Sequence, residues 1–227
     1  MSSLCCGKSW SKRQLMFTAS VVALLAASNA EAQEFPNFAA GSGWQGLYAG
    51  LHGGYGWGET DSSCLSGLCG SLGSYDTDGV IAGAQIGYNW KLAGFLVGLE
   101  SDISFSAIEG DAFFGAKSVS SELDWMATLR ARAGALVTDH VLIYGTGGVA
   151  WGDWKDSFQS NSFSDVETGW TAGGGVETKV TEWVSLKAEY LYVDFGDETH
   201  AFAAPSATVK FDHQIHTVRV GLNVKLH

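Results

Sequence analysis

The chain has 227 residues with 13 Lys+Arg against 24 Asp+Glu, a formal net charge of −11. So acidic a surface argues against nucleic acid as a partner. Only 16% of the residues are charged, against about 25% in ordinary soluble domains. With 30 glycines, 2 prolines and 9 tryptophans, the composition points to long uninterrupted strands with aromatic anchors.

Lys8, Lys12 and Arg13 precede an apolar run from Leu15 to Ala27, and Ala30-Glu31-Ala32 stand before Gln33. A basic head, a short apolar core and small residues at −3 and −1 describe a secretory signal peptide, residues 1–32, cleaved after Ala32. The run is shorter than the roughly 20 apolar residues of a spanning helix. Cys5 and Cys6 lie ahead of it and leave with the peptide. The remaining 195 residues hold 10 basic and 23 acidic side chains. Residues 33–43 read as a flexible lead-in and 44–227 as one domain. Within it Cys64 and Cys69, in the stretch CLSGLC, are expected to form a disulfide closing a small loop, as exported proteins permit. No histidine stands between them, so metal or redox chemistry is the poorer reading.

Eight strands follow from a period of two. Leu47, Ala49, Leu51, Tyr55 and Trp57 share one face of the first. After Gly58–Thr77, the second runs from Val80 to Trp90 with Val80, Ala82, Ala84, Ile86 and Tyr88 aligned. A turn at Lys91–Gly94 leads to Phe95, Val97, Leu99, Ile103 and Phe105, opposite Glu100, Asp102 and Ser104. The fourth strand places Leu123, Trp125, Ala127, Leu129 and Ala131 against Asp124, Thr128, Arg130 and Arg132. Val141–Trp151 is the fifth. The sixth holds Trp170, Ala172, Gly174 and Val176, and the seventh holds Leu186, Ala188, Tyr190 and Tyr192 opposite Lys187 and Glu189. The last, Gln214–Leu226, alternates most cleanly: Val218, Val220, Leu222, Val224 and Leu226 against Thr217, Arg219, Gly221, Asn223 and Lys225. The intervening stretches 58–77, 106–120, 153–165 and 196–212 read as long polar loops, alternating with three short turns.

Long loops at one end and short turns at the other suit an up-and-down transmembrane barrel. A soluble barrel would turn its apolar face inward. Here the polar face is mostly Gly, Ser, Thr and scattered opposite charges, which suits a cramped interior. The aromatics gather in two belts, Trp90, Phe95 and Trp183 near the short turns, Trp57, Phe105, Trp125, Trp151 and Trp170 near the long loops, matching two bilayer interfaces. A closed antiparallel barrel also satisfies every backbone group in lipid. The expected fold is therefore all-β, an eight-stranded antiparallel up-and-down transmembrane β-barrel. Strand parity turns Glu100, Asp102, Asp124, Glu177 and Glu189 inward with Arg130, Arg132, Lys187, Arg219 and Lys225. Such a lumen is only wide enough for side chains, so these charges are expected to pair as an ionic network.

Catalytic motifs are weak. Gly145-Thr-Gly147-Gly148-Val-Ala150 fits a loose dinucleotide pattern, but Gly152, Trp154 and a polar stretch follow where a helix is required. There is no G-x-S-x-G elbow and no H-E-x-x-H. His213 and His216, three apart, lie on opposite faces; with His200 they are better read as isolated histidines than as metal or haem ligands. No catalytic residue, metal or cofactor is assigned. The polar loops hold eleven carboxylates against Lys117, Lys155 and Lys210, and solvated loops are the better reading of them than a cation or host-factor site.

The pieces GLYAGLHGGYGWG, AGAQIGYNW, VGLESDISFS, LRARAG, YGTGGVAWG, GWTAGGGVE, LKAEYLYVDFG and HTVRVGLNVKL resemble, in order, the small outer-membrane immunogenic proteins of alphaproteobacteria, within the broad OmpA/opacity-type β-barrel family. The resemblance covers Trp44 to Leu226. It implies a barrel in the outer membrane of a Gram-negative bacterium, in contact with its lipid and inserted by the assembly machinery through the C-terminal strand. Such strands usually end in Phe, where this one has Leu226 followed by His227. The expected role is structural and surface-exposed, without catalysis and with a monomer favoured; the alternatives are a small-solute porin and a surface protein binding haem or a host factor.

Overall fold

The computed structural model describes residues 43–67, 73–92, 95–114, 117–158, 161–203 and 206–226. The expectations for residues 1–32, for nearly all of 33–43 and for the Cys64–Cys69 disulfide lie outside what is described. Eight strands, β1 (Gly46–Gly67), β2 (Ser74–Leu92), β3 (Phe95–Phe114), β4 (Lys117–Thr138), β5 (Val141–Phe158), β6 (Asn161–Lys179), β7 (Val184–Ala203) and β8 (Ser206–Lys225), pair antiparallel in sequence order. β1 also pairs with β8, from Tyr48↔Lys225 onward, and closes the barrel. Closure leaves no sheet edge.

We call the end carrying the connections β2–β3, β4–β5 and β6–β7 the near end; Gly46 and Lys225 also lie there. On β3 the two belt residues Phe95 and Phe105 both face outward. The ten-residue rise between them is about 25 Å of height, at roughly 3.3 Å per residue and a tilt near 40°, which is the apolar band of an outer-membrane barrel. Between the belts the outward side chains include Leu51, Leu99, Ile103, Leu129, Val149, Val220 and Leu222.

The strands do not stop at the outer belt, and here the expected long loops are corrected. Stretches 58–77, 106–120, 153–165 and 196–212 are largely strand, paired through Thr60↔Tyr75, Asp111↔Ser120 and Asp156↔Phe163 among others. In the first two of these stretches the described side chains still alternate, with the sense reversed. Glu59, Asp61, Asp76, Asp78, Glu109 and Asp111 are exposed while Thr60, Tyr75, Thr77 and Ile108 are buried. Water, not lipid, bathes the outside of this far half, so carboxylates replace leucines there. The composition that resembles a loop is that of a solvated barrel wall.

Two irregularities matter for the lumen. The β4–β5 register shifts between Leu123 and Trp125. A bulge of one residue reverses parity, so Met126, Thr128 and Arg130 face inward on one side of it, and Leu123 and Ser121 on the other. The β7–β8 register shifts between Asp194 and Asp197, where Gly196 takes a φ of 73°, a left-handed conformation that a side chain disfavours.

Candidate functional site

The lumen of the near half is filled by charge. Eight residues come together there, four acids and four bases, each 4% exposed or less: Glu100, Asp102, Glu177, Glu189, Arg130, Arg132, Lys187 and Arg219. Arg130 is the hub. Its guanidinium lies 2.6 Å from Glu100, 2.9 Å from Asp102 and 3.0 Å from Glu189. Arg132 meets Glu177 at 2.6 Å, Lys187 meets Glu100 at 2.9 Å and Arg219 meets Asp102 at 2.9 Å. The formal charges cancel, which is the condition for holding them out of water.

Register alone does not select these partners. Glu189 and Arg219 are direct neighbours across β7 and β8, yet Arg219 reaches Asp102 on β3 and Glu189 takes Arg130 from β4. Arg130 also bonds its direct neighbour Glu100, but these two bridges and that of Lys187 to Glu100 span the lumen and tie non-adjacent strands together.

Neutral side chains complete the layer. The Tyr48 hydroxyl donates to Glu100 at 2.7 Å and accepts from Arg132 at 2.9 Å. Tyr144 donates to Glu189 at 2.9 Å, and its ring lies 4.1 Å from the Arg132 guanidinium carbon. Ser185 and Asn223 both donate to Glu177, Thr128 donates to Asp102, and His52 joins Gln85 to Ser104. Glycine makes room for the rings: a Cβ on Gly175 would stand 2.7 Å from the Tyr144 hydroxyl. Tyr48 and His52 share one parity on β1, so the periodicity already carried the signal that placed them inward.

Two of the ten residues assigned to the lumen by parity are not in this layer. Asp124 sits at the β4 bulge, which turns it out of phase. It pairs with Lys155 at 2.7 Å, where both side chains are at least one-third exposed. Lys225 lies one strand end lower, at the near mouth beside Tyr48, Asn89 and Lys179, where solvent reaches it.

Apolar side chains pack against the layer on both sides. Toward the near end Trp44, Leu96, Leu142 and Tyr144 pack together, and the Trp44 indole donates to the Asp139 carbonyl at 3.0 Å. Toward the far end Ile81, Ile108, Leu123, Met126, Trp154, Phe195 and Ile215 fill the cross-section.

Beyond that far plug lies a second polar layer, missed in the sequence because Asp156 fell in a presumed loop and Glu167 and His213 at strand ends. Asp156 (β5), Glu167 (β6) and His213 (β8) are all buried, and their ligand-type atoms lie within 4.8 Å of one another. His213 Nε2 is 3.4 Å from Asp156 and 3.7 Å from Glu167. Its ring stacks on Trp154 with centroids 3.9 Å apart. His216 points to the outer surface instead, against Trp57 and Tyr190.

Residues 17–225 match the family described as outer membrane protein beta-barrel domain. The chain is 34% identical over 202 residues to the 31 kDa outer-membrane immunogenic protein of Brucella melitensis biotype 1, covering 80% of this chain and 83% of that one. It is 32% identical over 196 residues to the 22 kDa outer membrane protein of Rhizobium leguminosarum bv. viciae, covering 86% and 83%. In fold alone it is similar to outer membrane protein OprG from Pseudomonas aeruginosa, with a TM-score of 0.53 at 13% identity over 80% of this chain and 97% of that one. Neisserial surface protein A gives 0.50 at 15% identity, over 82% and 98%. A closed eight-stranded barrel with lipid-facing belts and a charged lumen, matched along nearly its whole length, belongs to the outer membrane protein β-barrel family and is a protein of the outer membrane.

Proposed function

We propose that this is a structural, surface-exposed barrel with a sealed lumen and no catalytic chemistry. The observation that carries this reading is the neutral eight-residue ionic layer, with an apolar cluster on its near side and an apolar plug on its far side. A solute crossing the barrel would have to separate ion pairs out of reach of water, at several kcal/mol per charge, and then displace packed side chains. An eight-stranded lumen is narrow enough for side chains to fill it, which supports the same reading against the small-solute porin. In planar bilayers the purified protein is expected to give no steady unitary conductance. A reproducible open channel from the wild type would replace this reading with the porin.

The same proposal includes cleavage after Ala32, pairing of Cys64 with Cys69, and insertion as a monomer by the assembly machinery. With both termini of the barrel on the periplasmic side, as in single-chain barrels of this family type, the far half stands outside the cell.

A further inference from the structure

The geometry points to a divalent transition-metal site in the far half of the lumen, with Asp156, Glu167 and His213 as ligands. The three come from β5, β6 and β8, so the closed barrel, not a local motif, brings them together. All three are buried, and the plug beneath them separates them from the ionic layer of the near half.

The two spacings from His213 are those of ligands around an ion. Nε2 of His213 stands 3.4 Å from an Asp156 oxygen and 3.7 Å from a Glu167 oxygen. Those separations are long for charge-assisted hydrogen bonds, which run at about 2.7–2.9 Å. Ligand atoms at the corners of a tetrahedron with bonds of 2.0–2.1 Å stand about 3.4 Å apart.

The atoms behind the ligands are set as a metal site requires. Nδ1 of His213 meets the Thr60 hydroxyl at 3.1 Å. With its proton on Nδ1, the ring presents the Nε2 lone pair to the two carboxylates, an arrangement that a cation between them stabilises. The Ser121 hydroxyl donates to Asp156 and is itself held by the Tyr75 hydroxyl at 2.7 Å. Trp154 fixes the imidazole plane by stacking, at an interplanar angle of 9°. Such supporting contacts orient ligands and set the histidine tautomer.

One imidazole and two carboxylates favour Zn²⁺, Co²⁺ or Mn²⁺ over Ca²⁺ and Mg²⁺, which prefer oxygen alone. Three protein ligands leave a coordination position for water or an external ligand. The exposed carboxylates on the outside of this half would raise the local cation concentration. The site does not depend on the lumen being sealed.

The test uses the purified, refolded full chain without a metal-binding tag, stripped with chelator and titrated with Co²⁺, followed by displacement with Zn²⁺. One Co²⁺ per chain is expected, with visible ligand-field absorption that Zn²⁺ abolishes. Glu167→Gln and His213→Gln should each weaken binding at least tenfold, while His216→Gln leaves it unchanged. Ni²⁺ should quench the wild type by a component missing in Trp154→Phe, a comparison that leaves all three ligands in place and so still decides if a ligand variant fails to fold. Absence of saturable binding by the wild type would overturn the site, as would wild-type affinity in both ligand variants or quenching that Trp154→Phe does not diminish.

Discussion

Below the outer aromatic belt the wall is apolar outside, at Leu51, Leu99 and Val220, and charged inside, at Glu100, Arg130 and Arg219. Above it the same strands carry acids outside, at Glu59, Asp76 and Glu109, and pack Ile108, Leu123, Trp154 and Phe195 inside. Antiparallel pairing runs through both halves, interrupted by bulges near the boundary. What changes is the surrounding medium, and the faces exchange character where it does. In lipid the wall supplies the hydrophobic surface and the lumen is left to polar pairs. In water the lumen is where apolar side chains gain by burial.

Substitutions that violate one half's rule test this difference. The largest effect is expected at the hub. Arg130→Ala leaves three carboxylates with their shared cation removed and should cost about 3–5 kcal/mol, the range for breaking a buried ion pair. It is read from the urea midpoint of the folded, heat-modifiable band. Next comes the lipid face: Leu129→Arg, between the belts, should cost about 2–4 kcal/mol. Its counterpart Glu109→Arg, outward on the far half, should stay within about 0.5 kcal/mol of wild type. Equal losses at the two positions would remove the distinction between the halves.

Smaller still is the far plug, where Ile215→Val trims one methylene at a site with no exposure; such changes cost about 0.5–1.5 kcal/mol. Smallest is Lys155→Ala, which breaks only the half-exposed pair with Asp124, worth about 0–1 kcal/mol. The hydrogen bond to Asp124 holds the Lys155 ammonium above the usual lysine range. That contribution is therefore complete below the ordinary lysine value of about 10.4 and is lost as the pH rises through the folded-state value. A wild-type and Lys155→Ala pair compared at neutral pH and in strong alkali should converge in alkali.

The near half was legible in the sequence because each strand there keeps one parity against one medium. Leu99 and Ile103 against Glu100 and Asp102 needed only a period of two. The far half was not, because Ser, Gly and Asp on a solvated wall have the composition of a loop, and only the pairing reveals the strands. Asp124 went astray for a second reason: the bulge before Trp125 reverses the phase, and no residue type announces it. The partners within the network were hidden for a third. Parity assigns Arg219 to a face but not to a direction across the lumen, so its bond to Asp102 in place of its neighbour Glu189 emerges only on closure. The grouping of Asp156, Glu167 and His213 combines the first and third difficulties, since it joins three supposed loop or strand-end residues across the barrel.

The exchange of faces at the outer belt is tested most directly by nitroxide labels at outward positions of β3, one at a time, with Cys64 and Cys69 replaced by serine and the protein in lipid vesicles. Labels at Leu99 and Ile103 are expected to be relaxed by oxygen and shielded from an aqueous nickel chelate. Labels at Glu109 and Asp111 are expected to show the reverse, with the crossover near Phe105. Lipid-type accessibility continuing to Asp111, or aqueous accessibility already at Leu99, would contradict a barrel whose strands leave the bilayer at half their length.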